Sequence, residues 1–379
     1  MAIDNKDKKI LNVPHLRFPE FSGEWEMVSL QDIATINPKS DPLQNTFIYI
    51  DLEAVEKGEL RKIQEIMREE APSRAQRVID NNDILFQCVR PYQKNNYIHR
   101  ILNTSNQQWV ASTGYAQIRT TELPNYIYHL LNTDEFNRKL MVRCTGSSYP
   151  AINSEDLATI HLYYTPDKKE QLKISRLLDL LDKRIATQNK IIEKLQSLIK
   201  GLRVCCMQRV YGNNVYLSEI AQIYQPQTIS STELTEDGFL VYGANGIIGK
   251  YKDYNHETEQ ICITCRGNTC GMVNYTKPMS WITGNAMVIN TDKYQDKVCK
   301  RYLYHYLSAY NFNSIISGSG QPQIVRTPLE KLKITLPTIS EQKQKAIIFD
   351  KIQDKIDINH KVLNLYIGQK QYLLRQMFI

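Results

Sequence analysis

The sequence has no long apolar stretch: none approaches the ~18 consecutive apolar residues that a membrane-spanning helix requires. Its first residues, MAIDNKDKKILNVPHL, lack the apolar core of a signal peptide, so we expect no export. Cysteine is too scarce, at 8 of 379 residues, for a disulfide scaffold, which favours the reducing cytoplasm. Lysine and arginine exceed aspartate and glutamate by only 47 to 40, which permits nucleic acid as a partner without requiring it. The length indicates two or three domains.

The signatures of common catalytic sites are also missing. The nearest approach to a nucleotide-binding P-loop, at residues 243–250, has its first glycine one position off and Tyr251 where Ser or Thr must bind magnesium. There is no strand–GxGxxG–helix unit and no Asn/Asp-Pro-Pro-aromatic motif of an amino-methyltransferase. Asp167, Glu170 and Lys173 are residue types of a metal-dependent nuclease, but helix capping explains them better. We therefore predict no catalytic residue in this chain.

One cysteine cluster raises the question of zinc. Cys262, Cys265 and Cys270 would need a fourth ligand, either His256 or the isolated Cys299. The residues around Cys262 also alternate like a strand. We predict small buried or half-buried thiols and no metal, with a zinc site as the alternative.

The chain repeats itself, which bears on the whole fold. The segments that begin at residues 166 and 337 align without gaps. Their identical pairs are Pro166/Pro337, Glu170/Glu341, Gln171/Gln342, Asp179/Asp350, Ile185/Ile356, Lys190/Lys361 and Leu202/Leu373. Two shorter similarities relate residues 28–36 to 215–223, and residues 149–152 to 321–324. The chain therefore consists of two copies of one plan: a short opening element, a variable body and a long helix.

The two repeated segments have the pattern of coiled-coil helices. Asp167 with Glu170, and Thr338 with Glu341, have the spacing of capping boxes. After each cap, apolar residues recur at steps of four and three, which is a heptad seam. The seam residues expected to pack together or to dock a partner are Leu178, Leu181, Ile185, Gln188, Ile192 and Leu195, and then Phe349, Ile352, Ile356, Asn359 and Leu363.

One polar residue lies at the midpoint of each seam. If the helices pack antiparallel, Gln188 and Asn359 face each other, and we predict that this pair fixes the register. The alternative is that each amide only tolerates partial exposure.

The bodies between these elements have α/β character. The predicted strands are 47–50, 83–86, 260–264 and 286–289, and the predicted helices are 125–140 and 298–309. The expected segments are an N-terminal extension (1–27), a first body (28–165), a central helix (166–209), a second body (210–336) and a C-terminal helix (337–379).

Polar clusters in both bodies suit DNA. Arginine matches guanine edges, asparagine and glutamine match adenine edges, and serine, threonine and glycine-loop amides match phosphates. The predicted DNA-contact residues are Arg74, Arg77, Arg90, Lys94, Asn96, Ser112, Thr113, Ser147, Ser148 and Tyr149 in the first copy, and Asn245, Lys250, Arg266, Asn268, Thr269, Ser319, Gln321 and Gln323 in the second. For any single residue the alternative is an ordinary solvated loop. The recurrence of the clusters at similar places in both copies favours a shared function.

The net charge lies on the helices rather than on the bodies. Residues 168–209 carry 11 basic and 4 acidic side chains, and residues 338–379 carry 7 and 4, which leaves 29 basic and 32 acidic side chains elsewhere. The bodies must therefore bind DNA through local basic patches and neutral polar loops. The helical excess faces either DNA or an acidic partner surface.

Several stretches, in this order, resemble the specificity subunits of type I restriction-modification systems (the HsdS family). They are residues 25–34, 71–75, 82–85, 89–91, 241–249 and 264–271, with the Pro…Glu-Gln openings of both helices. The resemblance implies two α/β target recognition domains, which are separated by two long antiparallel coiled-coil helices and form a pseudo-two-fold internal repeat. It implies a cytoplasmic subunit without catalysis, in which each domain reads one half of a bipartite duplex target.

The resemblance also implies the partners. Two modification (methyltransferase) subunits dock on the helices, and restriction (motor and nuclease) subunits join through them. S-adenosylmethionine, ATP and Mg²⁺ belong to those partners, so this chain binds no cofactor of its own. Because the two bodies differ in length and sequence, we expect an asymmetric target. The competing hypotheses are a stand-alone DNA-modifying enzyme and a coiled-coil scaffold.

Overall fold

The computed structural model describes residues 12–101, 107–208, 210–244, 246–318 and 320–379. Contacts divide the chain into two compact units: unit 1 consists of residues 1–187 with 363–379, and unit 2 consists of residues 188–362. Each of the two long helices thus contributes residues to both units, whereas the sequence-based boundaries set the helices apart from the bodies.

Unit 1 contains twelve strands and four short helices among its described residues. The strands are β1 (Glu26–Ser29), β2 (Ala34–Ile36), β3 (Thr46–Ile50), β4 (Val55–Glu56), β5 (Glu59–Leu60), β6 (Gln64–Met67), β7 (Ala75–Val78), β8 (Ile84–Gln87), β9 (Tyr97–Ile98), β10 (Gln108–Ser112), β11 (Tyr115–Thr120) and β12 (His161–Tyr164). The helices are α1 (Leu30–Ile33), α2 (Pro124–Leu131), α3 (Asp134–Arg143) and α4 (Ser154–Ala158). The long helix α5 (Lys168–Gln208) follows.

Unit 2 repeats this plan with fewer elements in the part that is described. Its strands are β13 (Asn213–Tyr216), β14 (Gln222–Tyr224), β15 (Phe239–Gly243), β16 (Gly246–Tyr251), β17 (Ile261–Thr264), β18 (Val273–Tyr275), β19 (Trp281–Ile282), β20 (Ala286–Asn290) and β21 (Lys333–Leu336). Its short helices are α6 (Lys300–Ala309) and α7 (Arg326–Glu330), and α8 (Ile339–Gln376) is the second long helix. No helix in the described ranges is long and apolar enough to cross a membrane.

Corresponding strands pair in the same order in the two units. One antiparallel sheet has the order β2-β11-β8-β9 in unit 1 and β14-β20-β17-β18 in unit 2. A second sheet pairs β3 with β10 in parallel in unit 1, and β15 with β19 in parallel in unit 2. The strand before each long helix pairs with the strand that opens the copy, β12 with β1 and β21 with β13. The predicted α/β fold with two copies of one plan is confirmed.

The central strands β8 and β17 are buried along their whole length because each lies between two cores. In β8, Ile84 and Phe86 face the core that includes α2 and α3, and Leu85 faces a second core. In β17, Ile263 and Cys262 divide between two cores in the same way. Successive side chains of a strand point to opposite faces, so a strand with both faces covered is apolar throughout.

The cysteines of β17 pack as core residues. Burial raises the pKa of Cys262 to about 12, and Cys265, which belongs to the other core, lies 3.3 Å from Gln225 Nε2. Two thiols in different cores do not suit one shared metal ion. Within the described residues, no group of three or more His, Cys, Asp and Glu side chains is arranged to hold a metal.

The seam residues are buried or half-buried within their units. Those that are buried are Leu178, Leu181, Gln188, Ile192, Phe349 and Ile356, and those that are half-buried are Ile185, Leu195, Ile352, Asn359 and Leu363. In unit 2 the helices are antiparallel, since Gln188 contacts Asn359 while Cys206 accepts from Lys345 at 3.4 Å. Gln188 Nε2 donates to the Asn359 carbonyl at 3.2 Å and also to the Asn359 side-chain oxygen. The predicted contact is confirmed, and its role in fixing the register stays a prediction.

Helix α8 begins with the predicted capping box. The Glu341 amide donates to Thr338 Oγ1 at 3.4 Å, and the Thr338 amide donates to the Glu341 carboxylate at 3.0 Å. These bonds from Thr338 lower the pKa of Glu341. Two of the otherwise unpaired amides at the helix start are thereby satisfied.

Helix α5 begins with only half of its predicted box. Asp167 Oδ1 accepts from the Lys169 amide at 2.7 Å, so Asp167 is the cap. Glu170, however, accepts from Arg17 Nε at 2.7 Å and from the Thr165 hydroxyl at 2.7 Å. The reciprocal bond predicted for Glu170 is wrong, because a largely buried arginine binds this carboxylate instead.

The helix predicted over 125–140 is two helices, α2 and α3. Thr133 ends the first and caps the second, because its hydroxyl donates to the Leu130 carbonyl at 2.8 Å and accepts from the Phe136 amide at 3.2 Å. Threonine competes with the helix for backbone groups, which makes it a good N-cap.

Each long helix has a glutamine at the same position of the repeat, and this glutamine hydrogen-bonds to the N-cap residue of one body helix. Gln171 Oε1 accepts from the amide of Leu123, the N-cap of α2, at 3.2 Å. Gln342 Oε1 accepts from the amide of Cys299, the N-cap of α6, at 2.9 Å. Both glutamines are almost fully buried. This contact, which occurs in both units, explains why the two copies of the repeat have glutamine at this position.

A buried histidine of the same body helix is bonded to an aspartate of the long helix. His129 Nε2 lies 2.9 Å from Asp179 Oδ1 in unit 1, and His305 Nε2 lies 2.8 Å from Asp350 Oδ1 in unit 2. Burial lowers the pKa of both histidines, so their rings are neutral near pH 7. In unit 2, Arg203 donates to His305 Nδ1 at 3.2 Å, which leaves Nε2 as the nitrogen that donates to the carboxylate. We call the two pairs the histidine latches.

One buried histidine of unit 1 has no hydrogen-bond partner among the residues that the structure describes. His99 lies between Tyr97 and Trp109, and neither ring nitrogen has a hydrogen-bond partner among the described residues. Burial lowers the pKa of His99 to about 4. Since an unfolded histidine titrates near ~6.5, the unfolded state binds more protons below that pH, and stability falls as the pH drops from about 6.5 towards 4.

We expect His99→Phe to remove much of this pH dependence. A phenylalanine ring keeps the packing against Tyr97 and Trp109 and cannot take up a proton. At pH 7 the variant should be as stable as the parent or more so, because no hydrogen bond is lost. Thermal unfolding between pH 8 and 4.5 measures the effect. Equal acid sensitivity in both proteins would show that His99 does not contribute.

Candidate nucleic-acid interface

In unit 1, two turns meet at the end of β8. The Cys88 amide donates to the Gly114 carbonyl at 3.0 Å, which brings the β10–β11 turn beside it. The Ile152 amide donates to the Cys88 carbonyl at 3.1 Å, which brings in the turn 145–151. We call residues 88–94, 112–114 and 145–151 the first loop cluster.

The turn 145–151 is closed by its own backbone. Thr145 and Ala151 exchange both amide–carbonyl bonds at 2.9 Å. Gly146 has φ +88°, and a Cβ there would lie 2.9 Å from the Tyr149 carbonyl oxygen, so glycine is required. The Arg90 amide donates to the Pro150 carbonyl at 2.8 Å. The Arg90 guanidinium lies 4.4 Å from the centre of the exposed Tyr149 ring.

In unit 2, corresponding backbone hydrogen bonds join other residues. We call this shared arrangement of hydrogen-bonded turns the backbone frame. The Ile324 amide donates to the Cys265 carbonyl at 3.0 Å, and the Gly267 amide donates to the Pro322 carbonyl at 2.9 Å. Ser317 and Gln323 exchange backbone bonds at 2.9 and 2.8 Å. We call the described parts of 265–272 and 317–323 the second loop cluster.

Most of the predicted contact residues are accessible. Those that are exposed are Arg74, Ser147, Ser148, Tyr149, Arg266, Asn268, Gln321 and Gln323, and those that are half-buried are Arg77, Arg90, Lys94, Thr113, Lys250 and Thr269. Asn245 and Ser319 lie outside the described residues. The predicted neighbours Arg74 and Thr113 are joined directly, because the Thr113 amide donates to the Arg74 carbonyl at 2.8 Å.

Two predicted DNA-contact residues are wrong because the fold buries them. Asn96 is 2% exposed, and its side chain accepts from the Gln87 amide at 2.8 Å and donates to Asn132 Oδ1 at 3.0 Å. Ser112 is 3% exposed, and its hydroxyl accepts from the Gly114 amide at 3.2 Å. Both side chains satisfy polar groups inside unit 1.

Two predicted cations have carboxylate neighbours. Lys94 Nζ lies 2.9 Å from Asp134 Oδ1, and Lys250 Nζ lies 3.4 Å from Asp237 Oδ1. Exposed pairs of this kind are worth at most about 1 kcal/mol, so they do not prevent a phosphate contact. Lys250 lies on β16 opposite Leu240, away from the turn of its hairpin. DNA contact by either lysine stays a prediction.

Arg77 adds a positive charge next to the first loop cluster, since it lies opposite Ala111 and near Cys88. Arg77 on β7 is half-buried, and its Nε has no partner within the described residues. Burial lowers the pKa of Arg77, but an arginine pKa lies so far above 7 that the group stays charged. A half-buried cation next to Cys88 and Ala111, with no carboxylate partner among the described residues, favours an anionic ligand such as DNA.

The residue types in both clusters can contact a duplex in two ways. Serine hydroxyls and turn amides suit phosphate oxygens, whereas arginine and glutamine side chains suit base edges in the major groove. The two clusters share a backbone frame and differ in the side chains that it presents. Such a pair can read two different sequences.

The sequence profile of the type I restriction modification DNA specificity domain matches residues 22–197 and, a second time, residues 213–365. The chain belongs to this family. The two matches correspond to the two copies of the repeat, so each unit is built largely from one specificity domain.

Curated members of the type I specificity family have similar sequences over part of their length. The EcoprrI specificity subunit of Escherichia coli is 31% identical over 147 residues, which are 38% of this chain and 36% of that protein. The HindI specificity subunit of Haemophilus influenzae is 23% identical over 186 residues, which are 48% of this chain and 37% of that protein. The chain thus spans little more than a third of the curated relatives it matches.

Solved structures from type I restriction-modification systems share the fold along nearly the whole chain. The type I S subunit of M. genitalium has a TM-score of 0.64 at 15% identity, covering 97% of this chain and 99% of that one. A chain from a structure on the assembly and conformational transition of a type I restriction-modification system has a TM-score of 0.57 at 20% identity, covering 95% and 98%. At these identities the likeness establishes the fold alone.

Proposed function

We propose that this chain is the non-catalytic specificity subunit of a type I restriction-modification complex. Each unit reads one half of a bipartite duplex DNA target through its loop cluster. The observation that carries the proposal is the same frame of turns built twice in a chain of the DNA specificity family, with different exposed side chains in each copy.

The target is asymmetric in this proposal. Arg90 and Tyr149 of the first loop cluster correspond in position to Gly267 and Gln321 of the second. Arginine and glutamine recognise different bases, so two unlike clusters select unlike half-sites. The long helices set the spacing between the half-sites.

The long helices also dock two modification subunits, and restriction subunits join through these. The support is that each unit leaves large apolar side chains of α5 and α8 in solvent, although their seam faces are already covered. The examples are Leu180, Leu365 and Tyr372 in unit 1, and Leu198, Ile347 and Ile358 in unit 2. Exposed apolar residues grouped on a helix favour a protein partner.

Adenine methylation and ATP-dependent cleavage belong to those partners. S-adenosylmethionine, ATP and Mg²⁺ are bound there, and this chain acts in the cytoplasm without a cofactor of its own. The support is that the sequence has no P-loop, no strand–GxGxxG–helix unit and no Asn/Asp-Pro-Pro-aromatic motif.

Co-expression with the modification subunit from the same genome tests the proposal. We expect methylated adenines in a bipartite target with two unlike halves, mapped across a host genome that lacks other adenine methylation. The control strain carries the modification subunit alone and should show no such pattern. A symmetric target, or the same pattern without this chain, would contradict the proposal.

Two further measurements separate the competing functions. A stand-alone enzyme would methylate DNA when the purified chain is mixed with S-adenosylmethionine only. A coiled-coil scaffold would assemble with the modification subunit without any sequence-specific binding to duplex DNA.

A further inference from the structure

We propose that Arg90 reads a guanine in the half-site bound by unit 1, with Tyr149 as the platform that holds its guanidinium; this rests on the proposed function. The inference assigns one base to one residue of the first loop cluster. It depends on the backbone at Arg90, on the stacking contact, and on the comparison with unit 2.

The backbone at Arg90 has a conformation that favours glycine. Its φ is +53°, in the left-handed region, and the corresponding residue of unit 2 is Gly267 with φ +84°. The two positions correspond because each amide donates to the carbonyl of a turn proline, Pro150 or Pro322. An arginine here has a conformational cost that glycine avoids, so the backbone alone does not explain its presence.

The side chain of Arg90 contacts an aromatic ring, and its hydrogen-bond donors have no partner in the described part of the chain. The carbon of its guanidinium lies over the Tyr149 ring, 4.4 Å from the ring centre, which is a cation–π contact. No carboxylate among the described residues forms an ion pair with Arg90. Its N–H groups therefore stay available to a ligand, and the contact with the ring limits the positions that the guanidinium can take.

A fixed guanidinium edge matches one base better than the others. Guanine presents O6 and N7 side by side in the major groove, and a fork of two N–H donors binds both at once. Tyr149 is 63% exposed, so this platform lies at the surface where a duplex can reach it. A phosphate also accepts from this fork, but a phosphate contact carries no base preference, which the selection of bound sequences detects.

Unit 2 has the same backbone frame but lacks an arginine at the position of Arg90. Gly267 has no side chain at the position of Arg90, and Gln321 lies at the position of Tyr149. The exposed Gln321 amide suits adenine rather than guanine. Residues that differ most between two copies of a shared frame are those expected to specify different half-sites.

The experiment uses the complex with its modification subunit and a pool of random duplexes, from which bound sequences are selected and sequenced. The principal variant is Arg90→Gly, because Gly267 shows that glycine fits this frame. We expect discrimination of one guanine in one half-site to fall by about 10- to 100-fold, with the other half-site unchanged. Tyr149→Phe keeps the ring and should keep the preference, whereas Tyr149→Ala should weaken it.

Gln321→Ala is the matched control and should alter only the other half-site. The inference is overturned if Arg90→Gly weakens binding equally for all sequences, which marks a phosphate contact, or if every base preference stays as in the parent. A parent complex that selects no sequence overturns the proposed function and this inference with it. If the unfolding temperature of Arg90→Gly is at or above that of the parent, misfolding is excluded as the cause of a lost preference.

Discussion

Leu178→Asp is expected to unfold unit 1. Leu178 is 0% exposed on the seam face of α5, in the core that also contains Tyr126, Leu130 and Leu373. Loss of a buried leucine costs about 2–5 kcal/mol, and the aspartate must in addition give up its hydration or draw water into the core. A cost of this size is comparable to the whole stability of a domain. Hydrogen exchange of the full chain, followed by peptides from each unit, measures the loss.

Leu180→Asp is the matched control for this change. Leu180 lies two residues further along α5 and is 58% exposed, so the same new charge stays in water. We expect its free energy of unfolding to stay within about 0.5 kcal/mol of the parent value. Similar protection of unit 1 in both variants would mean that the seam face of α5 does not belong to the core.

The long helices could be predicted in detail because a heptad is a local pattern. Apolar residues at steps of four and three define the buried face of a helix whatever packs against it. The contact between Gln188 and Asn359 could be predicted as well, since the repeat aligns the two helices without gaps and each amide lies at the midpoint of its seam. Only the assumption of antiparallel packing was needed.

The DNA-contact residues were harder to predict, because a polar residue type serves a loop and a core equally well. Asn96 offers the donors and acceptors that suit an adenine, and in unit 1 the same groups satisfy the Gln87 amide and Asn132. Ser112 ends β10 and bonds to the turn that follows it. Strand pairing decides these outcomes, and residues far apart in sequence determine that pairing.

In each histidine latch, a short sequence pattern identifies the histidine, whereas its aspartate partner lies far along the chain. Tyr126-Ile-Tyr-His129 and Tyr302-Leu-Tyr-His305 share the pattern Tyr-x-Tyr-His, which marks α2 and α6 as corresponding helices. Their partners Asp179 and Asp350 lie 50 and 45 residues further along the chain. The repeat shows that these aspartates correspond, but no local pattern links them to the histidines.

Asp350→Ala is expected to destabilise unit 2 by about 2 kcal/mol, since it leaves the buried His305 Nε2–H without its acceptor and the half-buried Arg301 without its carboxylate. Asp350 Oδ1 lies 2.8 Å from His305 Nε2 and 2.9 Å from Arg301 Nε. Burial alone would raise the pKa of Asp350, but the bonds from His305 and Arg301 outweigh it and keep the carboxylate charged. Without the carboxylate, Arg301 and Arg203 remain beside His305 as two half-buried cations. Denaturant unfolding of the full chain, with hydrogen exchange to locate the effect, measures the cost.

The matched control is Asp354→Ala, one turn further along α8, where the aspartate is exposed. We expect it to change the stability of unit 2 by less than about 0.5 kcal/mol. Asp179→Ala, at the other histidine latch, should cost less than Asp350→Ala, because the other groups that Asp179 binds, His129 and Asn125, are neutral. Equal losses at Asp179 and Asp350 would mean that the uncompensated arginines of unit 2 contribute nothing, and that the hydrogen bond to the histidine carries the whole effect.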